Sequence, residues 1–396
     1  AASDVYKRQL FALLLAATPV LAADRADPAR LSAITRELAS DAYGGRAPGT
    51  PGEARTVAYL EHSFRALGLE PAGEGGGYAQ AVPMIRTQLA GDGRYVVAGP
   101  KGETVLAPGR DISVITLLPV DRITIETAPL VFVGYGVSAP ERAWDDFNDP
   151  DFEATADDPV AGTFGGRAAT YYARWTYKFE EAVRRGAVAA LIVHQTEGAG
   201  YGWSTVLASA GEGFDVARAR PSAERLPLQG WLSAEASNRL FASAGLDLAA
   251  LRRQARSADF RPVALRGLAF SASAGVTFSR FESHNVIARL PGRTRPDESV
   301  MIAAHWDAYG EGPPDALGRR IRPGAADDAI GVAGVLEAAR VLSQEKRPER
   351  SVVFALWTAE ERGLLGSEHF GAHPTVPLET MAGNFTFDVL QTAGPA

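Results

Sequence analysis

One imidazole and six carboxylates between positions 305 and 388 could do chemistry together: His305-Trp306-Asp307, Asp327-Asp328, Glu360-Glu361 and Asp388. Such donors form a hard nitrogen-and-oxygen site that suits zinc or, less specifically, manganese or cobalt. The chain has no cysteine, which excludes disulfides, thiolate zinc sites, iron–sulfur clusters and cysteine nucleophiles. Two divalent cations bring four positive charges. Asp327, Glu361 and Asp388 bring three negative charges and a hydroxide the fourth, so the count favours a pair of ions over one. A ligating imidazole donates its second N–H to a carboxylate that fixes the tautomer, and Asp307 is the candidate. In Asp327-Asp328 one carboxylate can bridge two ions while its neighbour turns away from them. In Glu360-Glu361 one can hold metal while the other acts as general base.

Taken singly, each pair is ordinary. A His-x-Asp arises on many surfaces, an Asp pair caps helices, and two glutamates commonly open a helix. Their positions along the chain make the difference. SVMIAA runs into His305, SVVFALW into Glu360-Glu361 and NFTF into Asp388, while PGAADDAIG sets Asp327-Asp328 at the mouth of a helix expected from about Ala329 to Leu342. Strands alternating with helices, the last from about Leu364, predict an α/β fold with a mostly parallel-stranded central sheet flanked by helices. The carboxyl ends of parallel strands share one edge, where ligands bind. Groups more than 80 residues apart can therefore converge.

The rest of the chain sets limits. Of 396 residues, 46% are hydrophobic and 22% charged, which is ordinary for a folded chain; 40 basic against 47 acidic residues leave a net charge of −7. That balance excludes a sequence-independent grip on nucleic acid, which needs a basic face. Lys7, Arg8, an apolar run and a small-residue site near Ala22 read as an export signal over residues 1–23. The mature protein is then expected to start near Asp24 and to be periplasmic or secreted, without a membrane anchor. Helical spacing predicts helices in PARLSAITRELASD and GEARTVAYLEHSFRALGLEP, on either side of GGRAPGTPG. A dense strand, Leu130 to Tyr135, and a helix–Gly186–strand unit, YKFEEAVRRGAVAALIVH, belong to a β-rich module over 108–268. It separates an N-terminal part of the main domain, 24–107, from the site-bearing part, 269–396.

AAHWDAYG, PGAADDAIGVAGVLEAAR, ALWTAEERGLLGSEHF and NFTFDVL together resemble the co-catalytic di-zinc aminopeptidases of metallopeptidase clan MH, among them bacterial leucyl aminopeptidases and relatives of glutamate carboxypeptidase. LASDAYGGRAPGTPGEARTVAYLEHSFRALGLEP resembles the family's opening helices. PLVFVGYGVSAPERAWDDF and RRGAVAALIVH resemble the protease-associated (PA) insert of some members. The resemblance implies a zinc exopeptidase fold and two zinc ions, with His305 and Asp388 on one, Glu361 on the other and Asp327 bridging. It implies Glu360 as general base, Asp307 orienting His305, and Asp328 following Asp327 through a cis peptide. The reaction implied is hydrolysis of N-terminal peptide bonds by a metal-bridged hydroxide, on peptides with a free N-terminus.

Three departures accompany it. The family has a last histidine ligand downstream of the Asp388 strand, and no histidine here lies beyond His373. The resemblance thus implies a C-terminally truncated, incomplete centre that leaves this chain inactive. Ile330 stands where a small polar residue is usual, and a linker and strand are missing at AWDDFNDPDFE. His62, His194, His284, His369 and His373 are expected to be structural or solvated, while Trp306 and Tyr309 either line a pocket or pack in the core. Two alternatives stay open: a related di-zinc carboxypeptidase or deacylase, and a non-catalytic peptidase-like ectodomain. Side-chain specificity and oligomeric state have no signal in the sequence.

Overall fold

The structure is a computed structural model that describes residues 26–142, 144–147, 170–207, 210–315 and 317–390. The export signal expected over 1–23 and most of the acidic loop after Trp144 lie outside the described residues. Among the described residues no helix is long and apolar enough to cross a membrane.

The chain divides into two compact units, residues 1–81 with 283–396, and residues 82–282. These divisions differ from the expected 107/108 and 268/269. The reason lies in strand pairing. Arg94–Gly99, expected in the main domain, pairs antiparallel with residues 269–273 of the long strand Val263–Leu290, and Gly102–Val105 pairs with Arg94–Gly99 in turn. Those residues therefore belong to the second unit.

In the first unit, Arg295–His305 lies between Arg350–Trp357 and Met381–Thr386, parallel to both. Parallel neighbours require a crossover, and two helices provide it: Ile330–Gln344 after the first strand and Leu365–Ala372 after the second. On its other side Arg350–Trp357 pairs antiparallel with residues 286–290. The sheet is thus mixed, and parallel where the candidate residues sit.

Strand alternation sends successive residues to opposite faces. Val352, Phe354 and Leu356 pack with Leu38, Leu60, Phe64, Val332 and Leu336, whereas Val353, Ala355 and Trp357 pack with Met301, Ala303 and Phe370. A central strand covered on both faces must be apolar throughout, which is why SVVFALW shows no alternation in sequence. Removing the fully buried Phe354 ring would cost about 3–5 kcal/mol.

The two opening helices are Pro28–Leu38 and Pro51–Ala66, each with proline at its first turn, where the missing N–H costs nothing. Asp27 caps the former by accepting from the Ala29 amide, and Gly68, at φ 69°, ends the latter.

The second unit is β-rich, as expected. Arg122–Phe132 pairs with residues 263–275, and a separate sheet joins Ile112–Ile115, Leu228–Leu232 and Ala189–Val193. Gly186, at φ 80°, ends the helix Trp175–Arg184 ahead of that last strand. The dense strand ends at Phe132, before Gly134 and Gly136 turn the chain at positive φ.

Candidate metal centre

The strand Arg295–His305 ends on His305, and the chain continues through Trp306 and Asp307, all three buried. Beside it, Arg350–Trp357 gives way to Thr358 and Ala359, whose φ of 50° swings Glu360 and Glu361 off the strand direction. Asp307 stitches the two ends together: its carboxylate accepts from the Glu360 amide at 3.0 Å and the Glu361 amide at 3.4 Å. The His305 Nδ1 lies 3.2 Å from the Asp307 carbonyl oxygen and 3.5 Å from its carboxylate. The imidazole thus approaches the Asp307 main chain more closely than its side chain.

Asp327 and Asp328 occupy an irregular turn before the helix Ile330–Gln344, joined by a cis peptide. Their side chains part. Asp328 is buried and accepts from the Gly331 amide at 3.0 Å and the His305 amide at 3.4 Å. A side chain at Gly331 would collide with that carboxylate. Asp327 instead points to the imidazole, with Oδ1 3.0 Å from His305 Nε2. Asp328 thus serves the start of the helix, while Asp327 faces the imidazole. Ile330 opens the helix, half-buried.

Around His305 Nε2 stand Asp327 Oδ1 at 3.0 Å, Asp388 Oδ1 at 3.8 Å and Glu360 Oε2 at 3.8 Å. Ligand atoms of His305, Asp327 and Asp388 all lie within 4.8 Å of one another. Tetrahedral donors about 2.1 Å from an ion stand roughly 3.4 Å apart, so this trio fits a zinc-sized cation in both spacing and donor type. Glu361 is not one of the three; it faces the Tyr309 hydroxyl, with Asp327 close enough to perturb it.

The electrostatics are those of crowded acids. Burial, reinforced by Asp307, Asp388 and Asp327, pushes the Glu360 carboxyl up to about 7. Burial and Asp327 push Glu361 up to about 8, and burial pushes Asp328 up to about 7. Burial opposes charge on His305, but Asp307, Asp327 and Asp388 overcome it and hold the imidazole protonated far above its ordinary range.

Three neighbours of the site, Trp306, Tyr309 and Arg46, have no clear role in the sequence pattern. Trp306 is a core residue, fully buried, its Nε1 donating to the His284 carbonyl at 2.9 Å. Tyr309 is 43% exposed beside Glu361, with the Arg362 guanidinium 5.4 Å from its ring centre. Arg46, unremarked within GGRAPG, is fully buried against the segments that carry His305 and Asp327. A lone arginine framed by glycines was its only signal. The remaining histidines stay out of the trio. His62 is exposed, His194 is buried between Tyr201 and Trp203, His284 meets Glu53 at 3.3 Å, and His369 stacks on His373 at 4.6 Å.

Residues 285–396 match the model of peptidase family M28. A probable zinc metalloprotease of Pyrenophora teres f. teres is 40% identical over 84 residues, 21% of this chain and 17% of that protein. Leucine aminopeptidase 1 of Grosmannia clavigera is 36% identical over 103 residues, covering 24% of each. The chain thus spans less than a quarter of the length of these curated relatives. Among solved structures, an aminopeptidase from Aneurinibacillus sp. strain AM-1 aligns with 92% of this chain and 71% of its own at 21% identity, TM-score 0.49.

Proposed function

From the match of residues 285–396 to the model of peptidase family M28, we propose that this protein is an exported zinc-dependent aminopeptidase that uses two ions. The observation that carries the reading is the convergence of His305 and Asp388, from two strand ends, with Asp327, from the turn before the helix Ile330–Gln344, their ligand atoms within 4.8 Å of one another. His305 and Asp388 would hold one zinc, Glu361 the second, and Asp327 both. The likeness to a probable zinc metalloprotease of Pyrenophora teres f. teres supports the choice of metal.

When bound, zinc supplies a Lewis acid for the scissile carbonyl and lowers the pKa of coordinated water towards neutrality. The side chains do the rest. Glu360, held near neutrality by burial, takes a proton from the attacking water and returns it to the departing amine, the task for which a pKa close to working pH is best suited. Asp307 keeps the imidazole and the Glu360-Glu361 amides in register, and Asp328 anchors His305 from behind. Substrates are peptides with a free N-terminus. A protease-associated identity for the second unit, 82–282, belongs to the same reading.

The test combines metal content with substrate end-group. The purified full-length protein should hold two zinc ions and release the first residue of a peptide, but not of its N-acetylated counterpart. Absence of bound zinc, or equal cleavage of the acetylated peptide, would overturn the proposal.

A further inference from the structure

Among the described residues the buried guanidinium of Arg46 makes no hydrogen bond to a carboxylate, although the charges of Asp307, Asp328, Glu361 and Asp327 reach it. Its Nε donates to the Trp306 carbonyl at 2.7 Å, Nη1 to those of Leu38 at 2.6 Å and Pro323 at 2.7 Å, and Nη2 to that of Gly324 at 2.8 Å. These four acceptors come from three segments. Leu38 ends the first helix, Trp306 sits between His305 and Asp307, and Pro323-Gly324 leads into Asp327. The main chain adds to the clamp: the Ala308 amide donates to the Arg46 carbonyl at 3.3 Å and the Gly310 amide to that of Gly45 at 2.9 Å. Arg46 itself adopts φ 49°, a left-handed conformation uncommon for a residue with a side chain. At Gly324, which has φ 55°, an added Cβ would come within 2.5 Å of the Ala308 Cβ and the Asp327 carbonyl oxygen and within 2.8 Å of Nη2.

A neutral amide could staple carbonyls at less cost, since a buried charge without a counter-ion pays several kcal/mol in desolvation. Here the charge lies near Asp307, Asp328, Glu361 and Asp327, which favour it, and burial brings its pKa only to about 10. It remains cationic at neutral pH. One side chain thus holds the two metal-facing loops at a set separation and offsets part of their repulsion.

We propose that Arg46 is a positioning residue that preorganises His305 and Asp327 for metal before any ion arrives. The inference rests on the metal-site reading above. A planar fork with five N–H groups can satisfy four carbonyls spread around it; a lysine, with three donors at one point, cannot.

The experiment compares wild type, Arg46→Lys and Arg46→Met as full-length proteins. Zinc affinity is measured by competition with a chromophoric chelator. Hydrogen exchange is followed on the metal-free proteins over 303–310 and 322–332, with Leu228–Leu232 as internal reference. Both variants should lose protection in the two loops but not in the reference, and zinc affinity should fall about 10–100-fold, as for other residues that orient ligands. Excess zinc should restore turnover, which a general folding defect would not allow. Affinity within twofold of wild type would overturn the proposal. So would weakened affinity with loop protection intact, because the loss would then not come from loops that the fork holds in place. If Arg46→Met does not fold, Arg46→Lys decides, since it keeps the charge and loses the fork. A wild type that binds no zinc would refute the metal-site reading, while loop exchange in Arg46→Lys would still judge the clamp.

Discussion

Asp215 in the second unit and the strand-end acids of the first are built from the same residue types to opposite ends. Asp215 is buried and gripped by two arginines: Arg218 at 2.9 and 3.1 Å, and Arg225 at 2.8 and 3.0 Å. Glu337 is treated alike within the first unit, with Arg340 at 2.7 and 2.9 Å and Arg30 at 3.3 Å. At the strand ends, by contrast, Asp307, Asp327, Asp328, Glu360, Glu361 and Asp388 gather around one imidazole, and Arg46 donates to carbonyls instead. Acids that brace the fold come with their cations. On the proposed reading, the negative excess left inside this frame is what zinc would meet.

The largest effect should come from the group placed to move a proton. Replacing Glu360 by alanine in the full-length protein should lower turnover by about 10²- to 10⁴-fold and leave zinc content unchanged. Steady-state kinetics with metal analysis checks both, and retained turnover would remove Glu360 from the role of base. Next in size is Asp215→Ala, which leaves two guanidiniums facing a gap and should cost about 3–5 kcal/mol of stability. The matched change at the metal centre, Asp327→Asn, should leave the metal-free protein as stable as wild type or more so, because it relieves like-charge crowding. Urea unfolding of the two variants in chelator would erase the contrast if both proved equally destabilised.

Zinc itself should act on one side of the comparison only. At a free concentration 1,000 times its dissociation constant, each site adds about 4 kcal/mol. Calorimetry should show this gain in wild type and in Arg225→Lys but not in His305→Ala. An equal gain in His305→Ala would place the binding elsewhere.

How much of this could be read from the sequence follows from the range of each interaction. The apolar runs SVMIAA and SVVFALW, and the helix between them, announce themselves because strand burial and helix periodicity are local. His305, Asp327, Glu360, Glu361 and Asp388 could be singled out because each borders a recognisable element, Asp327 ahead of a helix and the others after strands. The division of Asp327 from Asp328 came from the family resemblance and not from the two residues themselves: it depends on which carboxylate finds the His305 and Gly331 amides, a tertiary matter. Arg46 was illegible for the same reason, all but one of its side-chain acceptors lying more than 250 residues away. The strands 94–105 were assigned to the neighbouring unit because their partner, residues 269–273, is about 170 positions distant and carries no mark of the pairing.

The smallest effect, and the one that compares the two kinds of acid most directly, is on pH. Arg340 chiefly, with the Asp27 amide and Arg30, holds Glu337 down to about 2 against its ordinary 4.5. The stability it gives is present above pH 4.5 and lost as pH falls towards 2. At the metal-free centre, burial raises Asp328 and Glu360 to about 7 and Glu361 to about 8. The unfolded chain releases those protons first, so between about pH 4 and 8 it binds fewer than the folded protein and stability declines as pH rises. His305, protonated in the fold and neutral in the unfolded chain above about 6.5, adds to the same slope. Zinc requires deprotonated ligands and therefore binds more tightly as pH increases, which reverses the trend. Asp146, raised by burial to about 7 in the second unit, contributes equally with and without metal and cancels in the difference. Melting temperatures from pH 4.5 to 8 should thus fall in chelator and diverge upwards in zinc, and parallel curves would mean that the strand-end acids are not the groups that meet the ion.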